Sequence, residues 1–280
     1  MKNQTYYCAN CNAELKGLYC SECGEKRIEN KDKRVQHFLE EAISSVFVAD
    51  GKFFKTIKLL VTQPGELTRS FVLGIRKKYL TPLQLFFFAN LVYFIFPFIS
   101  AFNTTLEIQL TQLPYSDYIE PMVTEYLEAN ELTMETFKID YERVSNSNGK
   151  LLLIILVILQ GLFLKALFLK RKDLFLLDFL AGSAYFYGFY ILFLLVLLPA
   201  LFTFLIESLG GSLYGVMNEG VITVILLFGI VIYMYFLIKR AYDTSPKGAI
   251  WRSVLLGLFI VPTFIIYRFI LFWITFWMVT

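Results

Sequence analysis

The chain has a single histidine, His37, and no cysteine after Cys23. One imidazole excludes catalytic dyads and metal sites that need two. There is no P-loop, no GxGxxG followed by an acidic residue, no HExxH and no GxSxG. The common nucleotide-binding, zinc-protease and serine-hydrolase signatures are therefore missing. Charge is also scarce: 18% of residues are charged, against about a quarter in a soluble domain. No apolar run precedes the first cysteine, so a cleavable signal peptide is not expected.

Apolar residues are what the chain has in excess. They make up 57% of it, with 29 Phe and 17 Tyr, and they gather in long runs. Such runs predict an all-α membrane protein. About five transmembrane helices are expected, near residues 82–102, 151–169, 183–206, 221–238 and 254–278. The apolar stretch from Leu174 to Ile206 is longer than a hydrocarbon core of about 30 Å requires. Its first turns, around Asp178 and Gly182, are expected at the interface, or else the helix tilts and kinks at Pro199. Residues 103–149 carry nine acids against two bases. They read as a solvated, partly helical outer loop. Residues 29–80 read as amphipathic interfacial helices. Phe53, Phe54, Ile57, Leu60 and Val61 form one stripe, and Pro64-Gly65 starts another helix carrying Leu67, Phe71 and Val72. Whether these pieces lie on the membrane surface or pack on the protein's own helices stays open. His37 reads as a solvated or packed residue rather than a ligand.

Basic residues alternate along the chain. Residues 1–80 hold 14 Lys and Arg, 103–149 two, 170–172 three, 207–219 none and 239–252 four. The positive-inside rule then places the N-terminus in the cytosol and the C-terminus outside.

The four cysteines form two similar units, Tyr7-Cys8-Ala9-Asn10-Cys11 and Tyr19-Cys20-Ser21-Glu22-Cys23. Each Cys-x2-Cys pair can grip an ion from a tight turn, and two pairs close a four-thiolate shell. Residues 1–28 are therefore expected to be a zinc ribbon-like knuckle, with structural zinc on Cys8, Cys11, Cys20 and Cys23. A closed shell leaves no position for substrate. A redox dithiol and disulfides are the alternatives.

The order "CANCNAELKGLYCSECGEK", then "FKTIKLLVTQPGELTRSFVLGIRKKYLTPLQLFFFANLVYF", then further membrane helices resembles domain-of-unknown-function family 3667 of bacterial membrane proteins. The motifs that carry the resemblance are Gly17-x-Tyr19-Cys20-x2-Cys23-Gly24, Pro64-Gly65 and Gly74-x-Arg76-x2-Tyr79-x2-Pro82. It covers the first 95 residues, and the remainder by hydropathy. It implies a bacterial inner-membrane setting and no established activity. Histidines occur in the membrane half of that family, but none stands in "LLDFLAGSAYFYGF" here, so no histidine role carries over.

Ionisable residues inside spans are costly and mark candidate sites. Arg268 and Asp178 are the main ones. Asp178 has Lys170, Arg171 and Lys172 as expected partners. Arg76, Lys77 and Tyr79 precede the first span and suit either a topology anchor or an anionic headgroup. The expected function is that of a non-enzymatic membrane scaffold or adaptor, with the bilayer and a cytosolic protein as partners and no nucleic acid. The alternative is a transporter or lipid-handling protein with a polar cavity around Arg268 and Asp178.

Overall fold

The computed structural model describes residues 6–27, 51–96, 102, 105–208 and 219–280. His37 lies outside the described residues. The chain folds as an α-helical membrane protein with a small β-hairpin head. In the head, β1 (Tyr6–Tyr7) pairs antiparallel with β2 (Glu14–Leu15). Helices α1 (Lys52–Thr62) and α2 (Glu66–Val72) follow, then α3 (Pro82–Ile95). Next come α4 (Leu106–Thr111), α5 (Ser116–Ala129), α6 (Met134–Leu151) and α7 (Ile154–Leu167). A long helix begins as α8 (Leu176–Phe189), widens to a π segment at Tyr190–Leu197 and ends as α9 (Leu198–Ser208). The last two are α10 (Glu219–Ala241) and α11 (Pro246–Val279).

The described residues show fewer spans than the five expected. Among the described residues, three helices are long and apolar enough to cross a bilayer: Leu176–Phe204, Val224–Ala241 and Pro246–Val279. A fourth exists if α6 and α7, bent by 54° at their junction, form one broken span. Helix α3 is 14 residues, or about 21 Å at about 1.5 Å per residue, short of the hydrocarbon core. It stops because Phe96 precedes Pro97, and a pre-proline residue is pushed out of the helical region; Phe96 has φ −124° and ψ 72°. The apolar run at 151–169 is interrupted at Leu152–Leu153, so its helix is also only 14 residues. The third expected span begins earlier than 183, at Leu176, and Pro199 does not break it. The π turns just before Pro199 widen the backbone where the proline ring would otherwise press on the preceding turn.

The apolar bundle has one continuous core drawn from α1, α2, α3, α7, α8, the π segment, α10 and α11. Small residues let these helices approach. A Cβ on Gly161 would lie 2.6 Å from Leu180 Cδ2, and one on Gly257 2.7 Å from Val231 Cγ2. The phenyl rings of Phe163 and Phe259 stack at 3.7 Å, tying α7 to α11.

The acidic stretch, expected to be partly helical, is helical over most of its length. Helices α4, α5 and α6 enclose a second core of Leu106, Leu110, Ile119, Val123, Leu127, Phe137 and Tyr141, closed by Phe272 and Phe276 from the end of α11. The apolar positions of α5 fall at i, i+4 and i+8, the spacing of a single buried helix face. The acids stand on exposed surfaces except Glu142, which is half-buried and accepts a hydrogen bond from Leu106 N–H. This helical cap therefore seats on one end of the bundle. The basic turns meet at the other end: Arg171 Nη1 donates to Tyr242 O, Arg240 Nη1 to Pro64 O, and Arg252 Nε to Leu167 O. Arg171 also holds the Asp173 carboxyl down to about 2 through a direct hydrogen bond.

Candidate metal centre

The head is built from one motif used twice. Cys8 N–H donates to Ala13 O and Asn12 N–H returns to Cys8 O; twelve residues on, Cys20 N–H donates to Glu25 O and Gly24 N–H to Cys20 O. Asn12 and Gly24, each just after a second cysteine, both turn at positive φ, 62° and 68°. The strand pairing repeats too, Tyr7 with Glu14 and Tyr19 with Lys26. Both turns aim two thiols inward.

The four sulfur atoms lie within 4.8 Å of one another. Cys8 and Cys23 sulfurs are 3.5 Å apart and Cys11 and Cys20 sulfurs 3.4 Å. Disulfides need about 2.05 Å, and all four cysteines are free. A tetrahedral ion at about 2.3 Å from each sulfur sets the sulfurs about 3.8 Å apart, so the donor set fits a zinc-sized ion with little movement. The thiols are not equivalent. The Glu25 backbone N–H stabilises the Cys23 thiolate and brings this thiol down to about 7. The Ala13 N–H pulls Cys11 the same way, but hydrogen bonds to the Cys20, Cys23 and Cys8 sulfurs and burial prevail and push it up to about 12. One sulfur is thus readily ionised, as the first step of capturing a cation requires.

The head is not a free appendage. Glu25, 3% exposed, accepts hydrogen bonds from the backbone N–H groups of Arg76 at 3.1 Å and Lys77 at 3.2 Å. The segment between α2 and α3 is gripped from two further sides. Thr56 on α1 accepts from Leu80 N–H at 2.9 Å, and Tyr185 on α8 donates to Leu80 O at 2.7 Å. Gly24 lies so close to this segment that a Cβ there would meet Lys77 Nζ at 2.8 Å. Replacing Glu25 by Gln removes the charge that makes these hydrogen bonds strong. Amide exchange at Arg76 and Lys77 is expected to accelerate about tenfold, the equivalent of about 1.4 kcal/mol, while metal content stays unchanged. Unaltered exchange would show that the contact carries no load.

The turns around this segment also rest on glycine. Gly65 (φ 89°) begins α2 against the backbone of Leu237 on α10. Gly74 (φ 89°) ends the same helix. Thr81 and Gln84 then form a reciprocal capping box that starts α3 with Pro82 in its first turn. Residues 50–94, which hold all of these features, match the family described as a protein of unknown function (DUF3667). The match covers 45 of the 280 residues. No curated protein and no solved structure matches the chain. The DUF3667 match begins after the cysteine head, so it covers the docking segment for the head and not the head itself.

The other residues singled out in the sequence fall in separate places. In the DUF3667 segment, the Arg76 guanidinium stacks over Phe71 at 4.6 Å and the Lys78 ammonium lies over Tyr79 at 5.5 Å. Lys77 is exposed. Asp178 is buried, but it does not pair with Arg171, which is taken by Asp173. Its Oδ2 accepts from Phe175 N–H at 2.9 Å, capping the start of α8. Arg268 and Asp178 do not share a cavity. Tyr242, just before α11, donates to Asp178 O, whereas Arg268 stands 22 residues into α11, about 33 Å farther along the helix axis. The polar cavity expected around both is corrected accordingly: one caps a helix near the basic turns, and the other lies under the cap. Glu25 was missed because a glutamate followed by Lys26 and Arg27 has no local mark of burial.

Proposed function

We propose that the chain is a multi-pass scaffold of the bacterial inner membrane, whose residues 1–28 form a zinc-ordered head that presents an aromatic surface to a cytosolic protein. The observation that carries this reading is the outward face of the head. Tyr7, Leu18 and Tyr19 are 63%, 45% and 60% exposed, although burying such side chains is what normally stabilises so small a fold. Exposed aromatic groups on a rigid support are typical contact anchors. The grip of Glu25 on Arg76 and Lys77 gives that surface a fixed position. In this reading residues 29–80 are the interfacial layer and 81–280 the membrane body. The shared location of the head and the basic turns supports a cytosolic N-terminus and an outside C-terminus. The reducing cytosol keeps the thiols available to metal. Lys16, Lys26 and Arg27 are balanced by Glu14, Glu22 and Glu25, so a protein rather than a nucleic acid is the proposed partner.

The test compares cross-linked partners of the full chain with those of the Tyr7→Ser/Tyr19→Ser variant. Selective loss of one partner, with membrane abundance unchanged, is expected. An identical partner set would remove the basis of the proposal.

A further inference from the structure

The cap end of α11 holds a charge that no acid among the described residues neutralises. Arg268 Nε is buried without a hydrogen-bond partner. The groups near enough to act on its charge are the phenols of Tyr115 and Tyr267, which carry no negative charge at neutral pH. Both hydroxyls are engaged elsewhere: Tyr115 donates to Gln109 Oε1 and Tyr267 to Gly149 O. A partly dehydrated guanidinium without an anion is costly, and its fork of donors fits a phosphate or carboxylate.

Its depth in the bilayer can be read from α11 itself. Exposed apolar side chains run from Ile250 to Ile266 along this helix and resume only at Trp277 and Met278, past the cap contacts. Trp251 stands near one end of that stripe, and Trp273 lies beyond the other, 22 residues away. That is about 33 Å, close to the thickness of a hydrocarbon core, with each indole where aromatic belts sit. Trp273 continues the belt sideways to exposed Tyr118, ring centroids 6.3 Å apart, and to Trp277 at 5.7 Å. Arg268 is five residues inside Trp273, or about 7.5 Å, so its backbone lies just within the hydrocarbon edge and its long side chain meets the phosphate level by snorkelling toward the belt. The ligand must arrive from the side. The cap above carries nine acids against two bases and repels soluble anions within about a Debye length of 8–10 Å.

We propose that Arg268, flanked by Tyr115 and the Tyr118–Trp273 belt, is a binding site for the phosphate of a phospholipid headgroup that enters laterally from the bilayer. The proposal is independent of the role of the cysteine head. A Trp251→Phe/Trp277→Phe protein keeps Trp273 as the sole indole, since the chain has three. Its fluorescence is titrated in detergent with brominated phosphatidylglycerol and, as a phosphate-free control, brominated diacylglycerol. Phosphatidylglycerol is expected to quench at about tenfold lower concentration than diacylglycerol, a difference of about 1.4 kcal/mol. Arg268→Gln should abolish that preference, and Arg268→Lys, which keeps a point charge but loses the fork, should weaken it. Equal quenching by the two lipids in the protein with Arg268 intact overturns the site, as does an undiminished preference in Arg268→Gln. If Arg268→Gln does not accumulate, the lipid comparison with Arg268 intact decides alone. Displacement of the lipid by millimolar inorganic phosphate would overturn the lipid assignment in favour of a soluble phosphate.

Discussion

Cys20→Ser is expected to reduce bound zinc from about one ion per chain to almost none and to open residues 6–27 to protease. The reason lies in how little else orders this segment. It has two short strands of two residues each and a handful of turn hydrogen bonds. Its largest side chains, Tyr7 and Tyr19, face solvent. Structural zinc in small modules supplies about 10–16 kcal/mol at neutral pH, far more than a lone hairpin gains from its own contacts. Three remaining thiolates leave the shell open. Zinc is measured by atomic emission on the purified full chain, and cleavage by limited proteolysis with the membrane body as internal control. A strong chelator should reproduce the proteolysis pattern of the variant. Zinc retained at full occupancy in Cys20→Ser, or a head equally resistant without metal, would refute the assignment.

Gly65→Ala should be the most damaging single-methyl change in the DUF3667 segment. At φ 89° an alanine is strained, at about 1–2 kcal/mol for a left-handed conformation. The new Cβ would also lie 2.8 Å from Leu237 O and 2.9 Å from Leu237 Cα. Those are backbone atoms of α10, so no rotamer change relieves the clash, and α2 must move off the bundle. Together the two effects should cost about 3 kcal/mol. Arg240, which donates to Pro64 O across the same contact, would lose its partner. Thermal unfolding in detergent provides the measure. Gly51→Ala is the control, because nothing lies within 4 Å of a Cβ there. Equal midpoints for the two variants would show that α2 does not depend on this close approach.

How much of this was legible in the sequence depends on whether the signal was local. The paired cysteines were legible, because identical short spacings dictate identical turns, and the structure brings their sulfurs together. The cap on α3 was likewise written locally, in Thr81, Pro82 and Gln84. The helical cap over α11 was legible in part. Nine acids suggested a solvated, partly helical loop; the helices agree, but the buried face that Ile119, Val123 and Leu127 form was not foreseen. The count of spans failed for a different reason. Pro97 was a readable stop, but the break at Leu152–Leu153 lies within leucines, and the nearest sign of it, Gly149, stands three residues earlier. The docking of the head was invisible, because Glu25 binds backbone N–H groups 51 and 52 residues away. Backbone donors leave no trace in the identity of the residues that offer them.

The duplicated turns of the head have different fates. Asn12 and Gly24 occupy equivalent bends, yet only Gly24 is pressed against Lys77. The second copy therefore acts as a foot planted on the bundle, while the first shares a hollow with Leu73 and Gly74 and leaves its bend at Asn12 exposed. Diversification among descendants of such a duplication would be channelled into that exposed bend.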